Sequence, residues 1–159
     1  MQHSHLLDTD ERFMLEALKE AQRGFERDEV PVGAVIAHEG KVIARAHNQN
    51  LLLKDPTAHA EMLAITEATA ALKTERLLNT TLYVTIEPCA MCAGALVLAR
   101  VKRIVFGAED PKAGACGSVI DIARHKKLNH RIRVTSGVLE KECRLIIQEF
   151  FRKKRQREN

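Results

Sequence analysis

His59 and Glu61, with Cys89 and Cys92, are the residues whose types and spacing could do chemistry. They bring one imidazole, two thiols and a carboxylate into two short segments, His59-Ala60-Glu61 and Pro88-Cys89-Ala90-Met91-Cys92. Three soft or borderline donors leave one position open on a tetrahedral metal, and the acid need not be a ligand. That is the composition of a catalytic zinc site. Cys89 and Cys92 are three apart, so on a helix their side chains lie about 60° from each other, on one face. His59 and Glu61 are two apart, about 200° around a helix, and converge only on a metal beyond the helix's N-terminal tip. The sequence places both segments at such tips. Asp55-Pro56-Thr57 precedes the histidine, with Asp55 or Thr57 as a cap and Pro56 suited to a helix start, and Glu87-Pro88 precedes the first cysteine. Two helix N-termini aimed at one site favour the negative charge of thiolates there.

A lone C-x-x-C also serves as a thioredoxin-like redox pair or as half of a structural zinc finger. No second C-x-x-C exists, and Cys116 and Cys143 stand alone, which disfavours a four-cysteine site. A redox pair leaves His-Ala-Glu unexplained. The combined pattern H-x-E with P-C-x-x-C is the signature of zinc deaminases that act on nucleobases.

The elements that must position these residues follow from the rest of the chain. At 159 residues it is read as one domain, 1–159, long enough to bury an ample core. Hydrophobic content of 45% with ordinary charge points to a globular protein. No apolar run reaches transmembrane length, and Met1 to Glu11 lacks a signal pattern, so no membrane association and a cytoplasmic location are expected. Four cysteines without a framework spacing fit a reducing compartment. The net charge of +4 is concentrated at the end: residues 151–159 hold five basic residues and one acidic one, and the body is neutral. Arg152, Lys153, Lys154, Arg155 and Arg157 there form a handle for a polyanion, or a solvated helix end whose cations suit the dipole.

Asp8 caps a first helix that ends between Gly24 and Asp28, with Glu11 three residues on and Phe13, Met14, Ala17, Leu18, Ala21 and Phe25 at helical spacing. Residues 30–37 and 41–46 form a hairpin around Glu39-Gly40. Residues 50–54 read as a loop. The His59 helix is expected over Thr57 to Leu72, a buried strand over 81–86, and the cysteine helix over Cys89 to Ala99. The strand 102–107 follows that helix, so it should run parallel to 81–86. A Gly- and Ala-rich loop spans 108–118, a short helix 119–124, a strand 132–135 and a terminal helix Leu139 to Arg155. Cys116 reads as a small packed thiol, and Met91 as core.

Over nearly its whole length the chain resembles the bacterial tRNA-specific adenosine deaminases (TadA type) of the cytidine deaminase-like superfamily. The resemblance is carried by Glu29-Val30-Pro31-Val32-Gly33-Ala34, Asn48, Asp55 through Glu61, Glu87 through Ala95, and Phe106 through Gly114. It implies an α/β fold of three α/β/α layers, with a central mixed five-stranded sheet flanked by helices. It implies a zinc-dependent hydrolase that converts adenosine to inosine at the wobble position of tRNA, the arginine tRNA with anticodon ACG. His59, Cys89 and Cys92 would hold one zinc per subunit, and Glu61 would shuttle protons. Asn48 would contact the target base, an amide offering both a donor and an acceptor to a purine edge. Val30 and Pro31 would wall the base, with Ala60 beside it. Asp110 would reach RNA sugar or backbone and Lys112 a phosphate, against the plainer reading of a solvated turn. Phe150 and Phe151 could stack on an unpaired base, although core packing is the commoner fate for one of them, and Arg152 would meet phosphate. The expected partners are a tRNA anticodon stem-loop and a second copy in a homodimer, with no organic cofactor.

Two other readings stay open at this stage. One is a free-base or nucleotide deaminase for guanine, cytosine or deoxycytidylate, which would have no need of the basic tail or the Asp110 loop. The other is a non-catalytic RNA-binding module with structural zinc, which would have no need of Glu61.

Overall fold

The computed structural model describes residues 8–159; the expectation of no signal pattern falls largely on residues 1–7, outside them. Five strands, β1 (Gly33–His38), β2 (Lys41–His47), β3 (Thr80–Ile86), β4 (Arg103–Ala108) and β5 (Arg133–Thr135), form one sheet in the order β2-β1-β3-β4-β5. β1 pairs antiparallel with β2 and β3, whereas β3–β4 and β4–β5 are parallel. The helices are α1 (Thr9–Glu26), α2 (Asn50–Leu53), α3 (Ala60–Leu72), α4 (Ala90–Leu98) and α5 (Glu140–Arg157).

Strand periodicity decides the layers. Ala34, Ile36, Leu82, Val84, Ile104 and Phe106 point to one face, with Ala60, Ala64, Ala93 and Leu96 from α3 and α4. The alternate residues Val35, Ala37, Tyr83 and Val105 point to the other, against Met14 and Ala17 of α1 and Cys143 of α5. Both faces are covered, giving the expected three-layer α/β/α arrangement with a mixed five-stranded sheet. α1 lies so close to β1 that a Cβ on Gly33 would sit 1.9 Å from the carbonyl oxygen of Ala17. Only glycine permits that approach.

Several boundaries differ from the sequence expectation, each for a local reason. α3 begins at Ala60 rather than Thr57, because the Asp55 carboxylate accepts both the N–H (2.8 Å) and the hydroxyl (2.7 Å) of Thr57 and closes a separate turn. Residues 50–53 form a helical turn because the buried Glu29 carboxylate accepts the N–H groups of Leu51 and Leu52. Residues 119–124 form no helix. Asp121 pairs through the bridge with Cys116, and its carboxylate accepts from the backbone and side chain of Arg124. The first strand starts at Gly33 rather than Val30, and α5 runs on to Arg157, whose guanidinium meets Asp28 at 2.8 Å.

One polar cluster ties α1 to the sheet. The Asp10 carboxylate accepts two bonds from Arg103 (2.9 and 2.7 Å) and one from Tyr83 (2.9 Å). The Arg103 bond holds the Asp10 carboxyl below its ordinary range, against the effect of burial. The stability it contributes is present above the unfolded carboxyl pKa of about 3.9 and is lost as pH falls toward the depressed folded value. Asp10→Asn should cost about 1–3 kcal/mol at pH 7 and flatten the acid limb below about pH 4, as read by thermal melts between pH 3 and 7. An acid limb unchanged from wild type would remove Asp10 as its cause.

Candidate active site

Both zinc-type segments sit at helix starts. His59 is the N-cap of α3 and Cys89 the N-cap of α4, each with extended backbone and no side-chain cap bond, so both side chains are free to point off the helix ends. The sheet supplies the convergence. α4 starts where β3 ends, and α3 packs on β1 and β2 and touches α4. His59 Nδ1 lies 3.7 Å from Cys89 Sγ and 3.5 Å from Cys92 Sγ. The three ligand atoms lie within 4.8 Å of one another.

These separations fit a metal. Ligand bonds of about 2.3 Å to sulfur and about 2.0 Å to nitrogen at tetrahedral angles put sulfur and nitrogen about 3.5 Å apart. One imidazole and two thiols are also the donor types that zinc takes, and three of them leave a position open. The Cys89 thiol is brought down to about 5, first by the Cys92 thiol donating to it and then by backbone N–H groups at the start of α4. The Cys92 thiol is pushed up, first as the donor in that bond and then by its burial. Burial raises the Glu61 carboxyl, which is 3% exposed. A carboxyl so placed is suited to carrying a proton.

Beside this group lies a cavity of about 450 Å³, a size suited to a small organic ligand. Among the sequence-predicted residues, Val30, Asn48, Asp110, Lys112 and Phe151 line it, together with His59, Glu61 and Cys89. Asn48 Oδ1 accepts the N–H of Ala60 at 2.8 Å, which caps α3 and fixes the amide with its NH₂ end left over. Asp110 Oδ1 accepts the N–H groups of Lys112 (3.0 Å) and Ala113 (3.1 Å), so the turn reading and the cavity position hold together.

The other predicted residues lie apart from the cavity lining. Pro31 and Ala60 are buried, and Ala60 contributes its backbone N–H to Asn48. Cys92 is buried, reaching the ligand group from within α4. Phe150 is 8% exposed and packs edge-on between Phe25 (5.7 Å between centroids) and Phe151 (5.4 Å). Arg152 is exposed and paired with Glu149 at 2.9 Å.

Two groups escaped the sequence reading. Glu29 and Glu87 are buried carboxylates; Glu29 accepts backbone N–H groups from α2, and Glu87 accepts them from the loop after β4. Each stands in a short acidic-then-proline stretch, which reads equally well as an ordinary loop or helix start. Glu87 lines the cavity, and Val32, Ile86, Ala113 and Ile147 complete the lining; the apolar types of these four do not separate them from core.

Comparison with known proteins follows the same geometry. Residues 8–155 match the family model of MafB19-like deaminases. The tRNA-specific adenosine deaminase of Bacillus subtilis is 51% identical over 148 residues, covering 93% of this chain and 92% of the relative. A solved structure from work on A-to-I editing by tRNA:A34 deaminases at the wobble position is 47% identical with a TM-score of 0.82, covering 85% of this chain and 98% of its own. A guanine deaminase from Nitrosomonas europaea superposes with a TM-score of 0.76 at 26% identity, over 92% of this chain and 86% of its own.

Proposed function

The chain belongs to the MafB19-like deaminases and, among them, to the tRNA-specific adenosine deaminases; from that premise we propose that it hydrolyses the 6-amino group of the wobble adenosine in tRNA. The arginine tRNA with anticodon ACG is the substrate assigned, giving inosine and ammonia. The observation that carries this reading is Glu61 and Asn48 on one cavity wall with the His59, Cys89 and Cys92 group. Residues 1–159 act as one deaminase domain, and the cytoplasm is where it meets its RNA. No helix among the described residues is long and apolar enough to cross a membrane.

His59, Cys89 and Cys92 hold one zinc ion, which when bound supplies the electrophile that acidifies a water molecule. Glu61 accepts a proton from the attacking water and delivers it to the ring nitrogen as the C6–O bond forms; it then takes the proton of the new C6 hydroxyl and passes it to the amine as the C–N bond breaks and the C6 carbonyl forms. Adenosine and water are consumed, and inosine and ammonia are released. Its burial raises the Glu61 carboxyl above its ordinary range, which favours its holding the proton between the two transfers. The Asn48 NH₂ orients the base edge, while Val30, Val32 and Phe151 supply apolar walls. Target extrusion is inexpensive in an unpaired loop. The exposed cations of α5, Arg152 to Arg155, attract the RNA backbone.

The protein acts as a homodimer. An apolar depression lies on the α4 side, lined by Met62, Met91, Gly94, Leu98, Ile122 and Leu128; Met91, expected in the core, is half-buried at this surface instead. Leu98, 79% exposed at its rim, is of the kind that a second copy would cover. Leu98→Glu should shift the protein to monomer in sedimentation equilibrium, with about a 100-fold weaker self-association, because a buried unpaired charge is costly. A dimer of unchanged affinity would place the interface elsewhere.

The assay that tests the reading presents the zinc-loaded protein with an ACG anticodon stem-loop and, separately, with adenosine, guanine, cytosine and deoxycytidylate. Inosine in the RNA with the small molecules untouched is expected. Turnover of a free base with unchanged RNA would leave the metal chemistry and overturn the substrate.

A further inference from the structure

Glu87 is a buried carboxylate that the proton transfers leave without a part. Its side chain stands at the wall of the catalytic cavity, 2% exposed, one residue past the end of β3. Its own N–H donates to the Ala108 carbonyl at the end of β4, at 2.9 Å, so its backbone is fixed to the sheet. Its carboxylate is directed entirely at one loop. Oε1 accepts the N–H of Asp110 (3.1 Å) and the hydroxyl of Ser118. Oε2 accepts the N–H groups of Cys116 (3.0 Å) and Ser118 (3.1 Å).

The loop thus folds around a carboxylate, which grips it at both ends. Between those ends the backbone passes so near that a Cβ on Gly114 would lie 2.4 Å from the carboxyl carbon. Inside the wrap, Asp110 closes its turn onto Lys112 and Ala113, and these three residues are what the loop presents to the cavity. Residues 109–115 contain no helix or strand. Besides the Glu87 contacts, the Ala115 N–H is anchored on the Pro88 carbonyl at 2.8 Å. Four donors on one ionised group are the charge-assisted kind of hydrogen bond, which is stronger than neutral pairs. They also compensate the burial of that charge.

We propose that Glu87 is a positioning residue for RNA: it holds residues 110–118 in the shape that brings Asp110 and Lys112 to the nucleotides beside the target base, and takes no part in proton transfer. This rests on the RNA-deaminase reading above. A loop ordered before binding loses less conformational freedom when the RNA arrives, so the effect belongs in substrate affinity. Glutamine in its place keeps the shape, but its NH₂ end meets N–H donors that it cannot accept, and one end of the loop is released.

Glu87→Gln should raise KM for the anticodon stem-loop about ten-fold, with kcat and zinc content within about two-fold of wild type. Amide hydrogen exchange across 110–118 should quicken in the same protein. In a Lys112→Ala background the substitution should add little further to KM, because the two act through one loop. Ser118→Ala, which removes only the hydroxyl donor, should give a smaller KM rise of about two- to three-fold in the same direction. It carries the cycle with Lys112→Ala should the glutamine variant fail to fold. A fall in kcat at constant KM would put Glu87 in the chemistry and overturn the proposal. So would loss of zinc, unchanged exchange, or full additivity with Lys112→Ala. If wild type makes no inosine in RNA, the parent reading fails and the RNA role with it. Hydrogen exchange then still reports separately whether Glu87 holds the loop.

Discussion

Glu61→Gln should lower kcat by about 10³–10⁴-fold while one zinc per chain remains bound. The glutamine has the volume and the hydrogen-bonding reach of the acid but cannot take a proton from water and give it to the base. Glu61 contributes no atom to the group of His59, Cys89 and Cys92, so metal content should not follow activity. The side chain is 3% exposed. Removing its charge from that site relieves a desolvation cost, so thermal stability should hold or rise slightly. Single-turnover inosine formation, zinc analysis and a thermal melt on one preparation check all three. Activity within about ten-fold of wild type would take proton transfer away from Glu61. Loss of zinc along with activity would make it a ligand or its support.

Cys92→Ala should abolish both zinc binding and turnover. Cys92 is fully buried and its sulfur lies 3.5 Å from His59 Nδ1, so its loss leaves a donor group of His59 and Cys89 alone. Two remaining donors bind zinc too weakly to keep it through purification. The folded wild type gains stability from the metal by mass action, about 2.7 kcal/mol at a free concentration one hundred times the dissociation constant. A chelator should therefore lower the melting temperature of wild type and leave that of Cys92→Ala unchanged. Because the apolar cores on both faces of the sheet are built without the metal group, the variant should still fold, with circular dichroism near that of wild type. A variant that keeps stoichiometric zinc would assign the metal to other ligands.

The three remaining expectations separate the layers of the molecule. Asp10→Asn reports on the α1 face of the sheet through acid stability. Leu98→Glu reports on the exposed face of α4 through association. Glu87→Gln reports on the loop at the cavity through KM. None of these changes a group of the proton relay, so a shared loss of kcat among them would point to a folding defect.

How far the sequence speaks depends on whether the deciding interaction is local. Three-residue spacing puts Cys89 and Cys92 on one helical face whatever surrounds them, and an unbroken apolar run such as Ala34-Val35-Ile36 makes a strand that is buried on both sides. The individual elements and the parallel pairing of β3 with β4 were legible for that reason, whereas the five-stranded sheet and its three layers came from the family resemblance. The apolar runs and the helical connection are both written in short segments. What the sequence left open was settled by contacts between distant segments. Asp55 is a good cap by type, yet its carboxylate turns to Thr57 and Asn48 takes the end of α3 from twelve residues away. Val119 to Arg124 has helical composition, yet the bridge from Cys116 to Asp121 and the grip of Glu87 on Ser118 hold the chain in turns. Phe150 and Phe151 are the same residue type side by side, and only packing sends one against Phe25 and the other to the cavity. By itself the sequence determined the elements and the chemistry of the metal-type donors, because propensity, periodicity and functional group are properties of short stretches. The tertiary structure alone decided which polar groups satisfy one another across the fold, and therefore which loop lines the cavity, because a buried carboxylate takes its partners from whatever backbone the sheet brings near.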